Sequence, residues 1–470
     1  MIRFDNSYAR LPEHMFARLP PTAVRAPELV ALNRPLAARL GLDADWLASD
    51  DGVAMLAGNS VPEGAAPLAQ AYAGHQFGDF VPQLGDGRAL LLGEIVAPDG
   101  KRFDIQLKGS GRTPFSRMGD GRAGIGPVMR EYLVSEFMAA MGVPTTRALA
   151  AVTTGEDVIR NRAEPGAVLT RIAASHIRVG TFQYFAVRKD IEALRALTDH
   201  VIARHYPEAD GPLALLDAVV AAQAETVIQW MALGFIHGVM NTDNMAVSGE
   251  TIDYGPCAFM DVFHPETVFS SIDRGGRYAW SVQPQVAVWN LAQFASCLLP
   301  LIGEGEEAVK AVTDSVQRFP EHHDVEFLAR FAAKLGLRDP VDEDRMLIEQ
   351  LLMIMTHGDA DFTRTFAGLS DGSARTEFRD PSRFDAWAEQ WQQRTEGQLH
   401  LAAMSRANPR RIPRNHRIEE VIAAARDGDH APFHDLMSAL CHPREDRPEW
   451  DRYALAPSAE ERVRTTYCGT

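Results

Sequence analysis

The chain has 470 residues, 46% hydrophobic and 23% charged, which is the composition of a folded globular protein large enough for more than one core and not of a disordered or fibrous chain. Lys and Arg number 47 against 63 Asp and Glu, and the formal charge of −16 repels a phosphate backbone, so nucleic acid is not an expected partner. Cys257, Cys297, Cys441 and Cys468 are far apart with no C-x-x-C pair, which speaks against a zinc ribbon or a disulfide framework; with an N-terminus that lacks an apolar stretch behind basic residues, they point to a reducing, cytoplasmic setting.

In chain order, residues 1–80 are rich in Pro, Ala and Gly and predict short helices in an extension packed on a neighbouring domain. Residues 89–98, an Asp99-Gly100 turn and residues 102–109 predict a β-hairpin. Its second strand carries Phe103, Ile105 and Leu107 on one face and Asp104, Gln106 and Lys108 on the other. A helix is predicted from Pro127, with Val128, Tyr132, Val134, Met138 and Met141 at helical spacing until Gly142 and Pro144 stop it. Residues 167–173 predict another strand. Beyond residue 185 the pattern is helical, with a stripe of Leu213, Leu216, Val220, Ala224, Val227 and Met231. Residues 286–302 are apolar but interrupted by Asn290, Gln293, Ser296 and Pro300, which suits a buried helix better than a membrane span, and no membrane partner is expected. Residues 320–470 add helices separated by breaks such as Asp371-Gly372 and Asp427-Gly428.

Chemistry concentrates in His237 to Gly255, where a polar stretch follows a long apolar helix. It resembles two protein-kinase signatures in order: His237 and Asn244 keep the separation of H-R-D-x-x-x-x-N, and Asp253, Tyr254 and Gly255 resemble D-F-G. A neutral amide oxygen and a carboxylate suit a hard Mg²⁺ or Mn²⁺ ion held against phosphate, so Asn244 and Asp253 are the candidate metal ligands. The position two after His237, where kinases have their catalytic Asp, is Val239, which cannot take a proton; Asp243 is the nearest replacement. Upstream, Lys108 on its strand and Glu131 on the next helix match the kinase Lys–Glu pair, and Gly85, Gly87 and Arg88 form a short loop where backbone can approach phosphate. His237 reads as a scaffold residue, since its kinase counterpart is one. The expected architecture is α+β: a protein-kinase-like bilobal fold with a mixed, β-rich N-lobe (1–185, including the N-terminal extension) and a helical C-lobe (186–470) with a C-terminal helical extension and a Cys-containing tail.

The segments 4–24, 72–94, 104–123, 170–185 and 237–245 together resemble the selenoprotein O (SelO) family, protein adenylyltransferases of pseudokinase ancestry. The resemblance implies transfer of AMP from ATP to Ser, Thr or Tyr hydroxyls of proteins, with ATP inverted relative to kinases. It further implies nucleotide contacts from Gly85, Gly87, Arg88, Lys108, Asp120, Gly121, Arg171, Arg178 and Asp253, with Asp243 as the proton acceptor. On their own terms Arg171 and Arg178 are ordinary ion-pair residues, and Asp120-Gly121 a plain turn. The family's tail cysteine corresponds to Cys468, whose partner position on the activation segment is Phe269 here, with Cys257 nearby. Two rival readings remain at this level: a conventional kinase with Asp243 as substitute base, and a nucleotide-binding scaffold without activity. The basic run 406–417 is either a solvated face, a site for an acidic partner, or an anchor for the protein's own acidic residues.

Overall fold

The computed structural model describes residues 2–160 and 162–467. The hairpin expected around Asp99-Gly100 is present as strands Ala89–Val96 and Arg102–Lys108. It lies inside an antiparallel sheet of order Phe16–Arg18, Leu68–Gln70, Ala89–Val96, Arg102–Lys108, Ala163–Ala173, Arg147–Ile159, Glu28–Leu32, to which the short strand Ala123–Gly124 adds on Ala163–Ala173. Three of these strands come from residues 1–80, which were expected to pack on a neighbouring domain as an extension. They are short, and two of them are the outer strands of the sheet. Their segments alternate too briefly to announce themselves.

The two faces of Arg102–Lys108 have different fates. Ile105, with Leu92, Leu149 and Ile172, packs under the helices Arg34–Arg39, Ala44–Leu47 and Asp50–Ala57, which bury Leu36, Leu47, Met55 and Leu56. These helices begin on Asn33, Asp43 and Ser49, whose side chains accept from their first-turn N–H groups. The opposite face carries Asp104, Gln106 and Lys108 and receives the helix Ile125–Met141, closed by Gly142 at a φ of 83°. That helix belongs to the larger hydrophobic cluster, which continues through Pro212–Ala232 and Gln283–Ile302. Both are long and apolar enough to cross a membrane by composition, and both place their apolar residues, among them Val220, Val227, Leu291 and Phe294, inside that cluster.

Two buried ionic clusters join distant segments. Arg204, on the helix Ile191–His205, donates to Glu94 at 2.7 Å and Asp104 at 2.6 Å, tying the sheet to the helical part, while Glu94 also accepts from the Tyr8 backbone at 2.5 Å. Arg414, from the basic run, is fully buried and donates to Asp261 at 2.5 Å and Asp361 at 2.8 Å. Of the three options for that run, Arg414 takes the internal acidic anchor.

Breaking such a cluster by removing one partner is far more costly than replacing all of it. Arg414→Ala, which strands two buried carboxylates, is expected to lower stability by about 3–5 kcal/mol. The triple variant Arg414→Met/Asp261→Asn/Asp361→Asn should recover most of the loss. Urea titration followed by tryptophan fluorescence checks both, and an Arg414→Ala midpoint equal to the parent's would show that the cluster contributes nothing.

Candidate functional site

The sheet register brings the basic residues together. Leu169 lies opposite Lys108 and Arg171 opposite Gln106, so Arg171, Gln106 and Lys108 share the face turned to the helix Ile125–Met141. Glu131, on that helix, accepts from Lys108 Nζ at 2.6 Å and from Arg171 Nη1 at 3.1 Å. Gln106 Oε1 accepts two further Arg171 bonds, at 3.1 and 2.6 Å, which hold the guanidinium flat against the sheet.

Asp253 reaches the same point from the helical side. Its Oδ1 accepts from Lys108 at 2.6 Å and Arg171 at 2.7 Å, and its Oδ2 lies 3.6 Å from Arg178 Nη1. Its backbone has a φ of 63°, the left-handed region that costs a β-substituted residue about 1–2 kcal/mol. Burial opposes ionisation of this carboxyl, yet Lys108, Arg171 and Arg178 hold it well below the usual carboxylate range. Arg178 starts the helix Val179–Ala186, is buried, and stacks its guanidinium over the Tyr72 ring at 4.4 Å. Its Nη1 donates to the Asp243 backbone carbonyl at 3.1 Å, while its buried Nη2 has no hydrogen-bond partner. An unpartnered buried guanidinium N–H beside two more cations is an anion site in chemical terms.

Asp243 lies on the short 3₁₀ turn Thr242–Asn244 and is buried, which pushes its carboxyl up to about 6 even though Arg178 pulls it down. Asn244 donates its amide to the Val239 carbonyl at 3.0 Å, leaving the amide oxygen as the group suited to a cation. Asn244 and Asp253 are hard oxygen donors in too small a number to enclose an ion alone. That fits Mg²⁺ or Mn²⁺, which keep waters and share substrate phosphates. Among the described residues no cluster of three or more His, Cys, Asp or Glu is arranged for a metal, which leaves this pair as the candidate. His237 is buried and bonds the Ile252 carbonyl at 2.9 Å, tying the loop before Asp243 to the segment before Asp253.

The remaining expected contacts come from the loops before and after the hairpin Ala89–Val96 and Arg102–Lys108. At Gly85, φ 79°, an added Cβ would fall 2.3 Å from Phe115, and at Gly87 3.0 Å from the Phe115 carbonyl, so both glycines serve close packing of the 109–121 loop. Asp120 is held by both Arg160 amino groups at 2.8 and 3.0 Å, and Gly121 packs on Gly111. Arg88 lines a cavity of about 420 Å³ with Lys108, Glu131, Tyr254, Arg426 and Tyr467. A cavity of about 510 Å³ among the C-terminal helices, bounded by Arg364, Asn408 and Arg411, holds none of the expected residues. Thr466 of the tail pairs with the backbone of Phe269 at 2.7 Å and bonds the Pro256 carbonyl at 2.5 Å, next to buried Cys257. Cys468 lies outside the described residues.

Several residues with no motif of their own also build the site. Asp86, between the two glycines, is buried 3.9 Å from Arg178, and burial pushes its carboxyl up to about 6. The hairpin Gly74–Gln76 and Asp79–Val81 lies on the Asp243 turn, with Gln76 donating to Asp243 Oδ2 at 3.3 Å. Gln283 holds the His237 backbone from the helix Gln283–Ile302 at 3.0 Å. A lone Asp or Gln in a loop carries no spacing signal that could have marked it.

A family model described as protein adenylyltransferase SelO matches residues 1–441. The protein nucleotidyltransferase YdiU of Rhodopseudomonas palustris is 59% identical over 99% of this chain and 99% of its own length. The proteins of the same name from Roseobacter denitrificans and Bradyrhizobium diazoefficiens are 59% and 57% identical, each again over 99% of both chains.

With no polyanion present, Asp253 is the counter-ion of three cations. Asp253→Asn is therefore expected to lower the melting temperature of the free protein, and inorganic triphosphate to raise it more in the variant than in the parent. Thermal scans with and without triphosphate check this; equal shifts in both proteins would mean that the cations do not form an anion site.

Proposed function

The chain belongs to the SelO protein adenylyltransferase family, and from that premise we propose that it moves AMP from ATP onto Ser, Thr or Tyr hydroxyls of proteins, with the nucleotide inverted relative to a kinase. Nucleotide transfer to protein is the activity of the family; the acceptor type and the orientation are the reading argued here. The observation that carries it is the pairing of Val239 at the kinase base position with a buried carboxylate at Asp243, beside Arg178.

In this reading Lys108, Arg171 and Arg178 bind the β- and γ-phosphates, and Asp86 balances Arg178 from the sheet side. Asn244 and Asp253 hold the divalent ion, Mg²⁺ or Mn²⁺, which neutralises phosphate charge when bound. With the terminal phosphates held deep, the α-phosphorus faces the incoming hydroxyl. Asp243 accepts the hydroxyl proton as the acceptor oxygen bonds to the α-phosphorus, and the bond to the bridging oxygen breaks to release pyrophosphate. Gly85, Gly87, Asp120 and Gly121 contact the nucleotide from their loops, and Arg88 from the wall of the adjoining cavity.

The same reading treats the sheet with its helix as a kinase-like N-lobe, residues 1–185, and the helices beyond as a C-lobe, residues 186–470, in a cytoplasmic protein without nucleic-acid or membrane partners. AMP is favoured over UMP as the transferred group by the family description alone. A kinase using Asp243 as base, or an inactive scaffold, is less well supported. The product separates the first from an adenylyltransferase, and a scaffold has less need of Lys108, Asn244 and Asp253 together. For a redox switch at Cys468, Cys257 is the best candidate partner, because it follows the Asp253 segment directly and Thr466 of the tail binds the carbonyl just before it.

ATP labelled at the α-phosphate is expected to mark protein substrates and to release pyrophosphate, while γ-labelled ATP leaves them unmarked; transfer of the γ-label alone would establish the kinase reading instead. For the tail, oxidant should change the activity of the parent and not of Cys468→Ser. Identical responses of the two proteins, followed by the same incorporation assay, would remove the redox switch.

A further inference from the structure

We propose that Gln76 is a positioning residue for Asp243, holding its carboxylate in the orientation that receives the acceptor's proton. The inference rests on Asp243 being the base. Gln76 Nε2 donates to Asp243 Oδ2 at 3.3 Å, while Oδ1 is buried and makes no hydrogen bond. That free oxygen lies against Gly74, where an added Cβ would come to 2.5 Å of it. The carboxylate is thus oriented from both sides by one hairpin: by a donor on Oδ2 and by a missing side chain beside Oδ1.

The hairpin is fastened to the Asp243 turn at the residues on either side of Gln76. His75 N donates to Thr242 Oγ1 at 2.7 Å and Phe77 N to Asn241 Oδ1 at 3.1 Å, so Gln76 is pinned opposite the two residues preceding Asp243. Gln183 closes the assembly from the helix Val179–Ala186, accepting from Thr242 at 2.6 Å and meeting His75 Nδ1 at 2.8 Å. Gln76 pairs with Asp79 across a two-residue turn of Phe77 and Gly78, both at positive φ, 55° and 96°. Such turns take Asn, Asp or Gly at the first position. A phenylalanine persists there because its N–H holds Asn241 and its ring meets Tyr278 at 5.2 Å. The strain keeps Gln76 in register with the base.

A carboxylate free to rotate would meet the hydroxyl in the right geometry only part of the time, and the geometric requirement of proton transfer is strict. During transfer the proton of the acceptor hydroxyl passes to the Asp243 carboxylate as its oxygen bonds to the α-phosphorus and pyrophosphate departs. Gln76 touches neither nucleotide nor acceptor in this step. Its contribution should therefore appear in turnover and not in ATP affinity.

The experiment compares Gln76→Met, which keeps volume and removes the donor, with Asp243→Asn and the double variant. Incorporation of α-labelled AMP and calorimetric binding of ATP with Mg²⁺ are measured on the full chain. Gln76→Met is expected to lower kcat about tenfold to a hundredfold, the worth of a hydrogen bond to a charged group. ATP affinity should stay within about twofold, and the kcat effect should vanish in the Asp243→Asn background, as coupling requires. Parental kcat in Gln76→Met with an impaired Asp243→Asn overturns the role of Gln76 alone. Parental kcat in Asp243→Asn overturns the assignment of the base, and with it the inference. A fall in ATP affinity equal to the fall in kcat, or an undiminished effect in the double variant, shows that Gln76 merely supports the fold.

Discussion

Three cations, Lys108, Arg171 and Arg178, converge on the carboxylate of Asp253, and the surrounding structure is arranged so that this can happen. Bringing them together in a partly buried space is costly unless each is neutralised. Glu131 shares Lys108 and Arg171, Gln106 braces Arg171, and Asp86 stands behind Arg178. Asp253 supplies the last negative charge from a left-handed backbone conformation that only strong anchoring would sustain.

That anchoring comes from both halves of the molecule. Lys108 and Arg171 stand on adjacent antiparallel strands whose register sets their spacing, and Arg178 begins the helix that follows the Arg171 strand. Asp253 comes from beyond the helix Pro212–Ala232, and His237 ties its approach to the loop that carries Asp243. Arg204 clamps the sheet to the helices through Glu94 and Asp104, so relative movement of sheet and helices would be felt directly at the Asp253 cluster. The C-terminal part contributes in the same way, with Arg414 holding Asp261 a few residues beyond Asp253.

The Asp243 side of the site follows a different logic. There the neighbours are neutral: Gln76, Thr242, Asn241 and Gln183 form a hydrogen-bonded frame, and burial raises the proton affinity of the carboxylate. One side thus gathers cations around a carboxylate, and the other encloses a carboxylate in neutral hydrogen-bonding groups. The two are joined by Arg178, which donates to the backbone of Asp243 and faces the carboxylate of Asp253.

Much of this was legible in the chain itself. Alternation in 102–109 placed Lys108 on the face opposite Ile105, helical spacing placed Glu131 on the following helix, and the order His237, Asn244, Asp253 marked the loop, because local periodicity and short motifs are properties of contiguous residues. What escaped was every contribution made by a single unremarkable residue brought in from elsewhere. The three short strands from residues 1–80 joined the sheet because an open sheet offers unpaired edges, which no local pattern records. Gly85 and Gly87 also make room for Phe115, a use that no local pattern records, since it depends on what packs against them. Asp86, Gln76 and Gln183 sit in the site because the hairpin Gly74–Val81 folds onto the Asp243 turn. The amino-acid order alone determined which groups carry charge and which local elements present them; only the tertiary structure decided which oxygen of Asp243 is held and which is free. That choice depends on distances between segments more than a hundred residues apart, which are set by packing and not by any residue's neighbours in sequence.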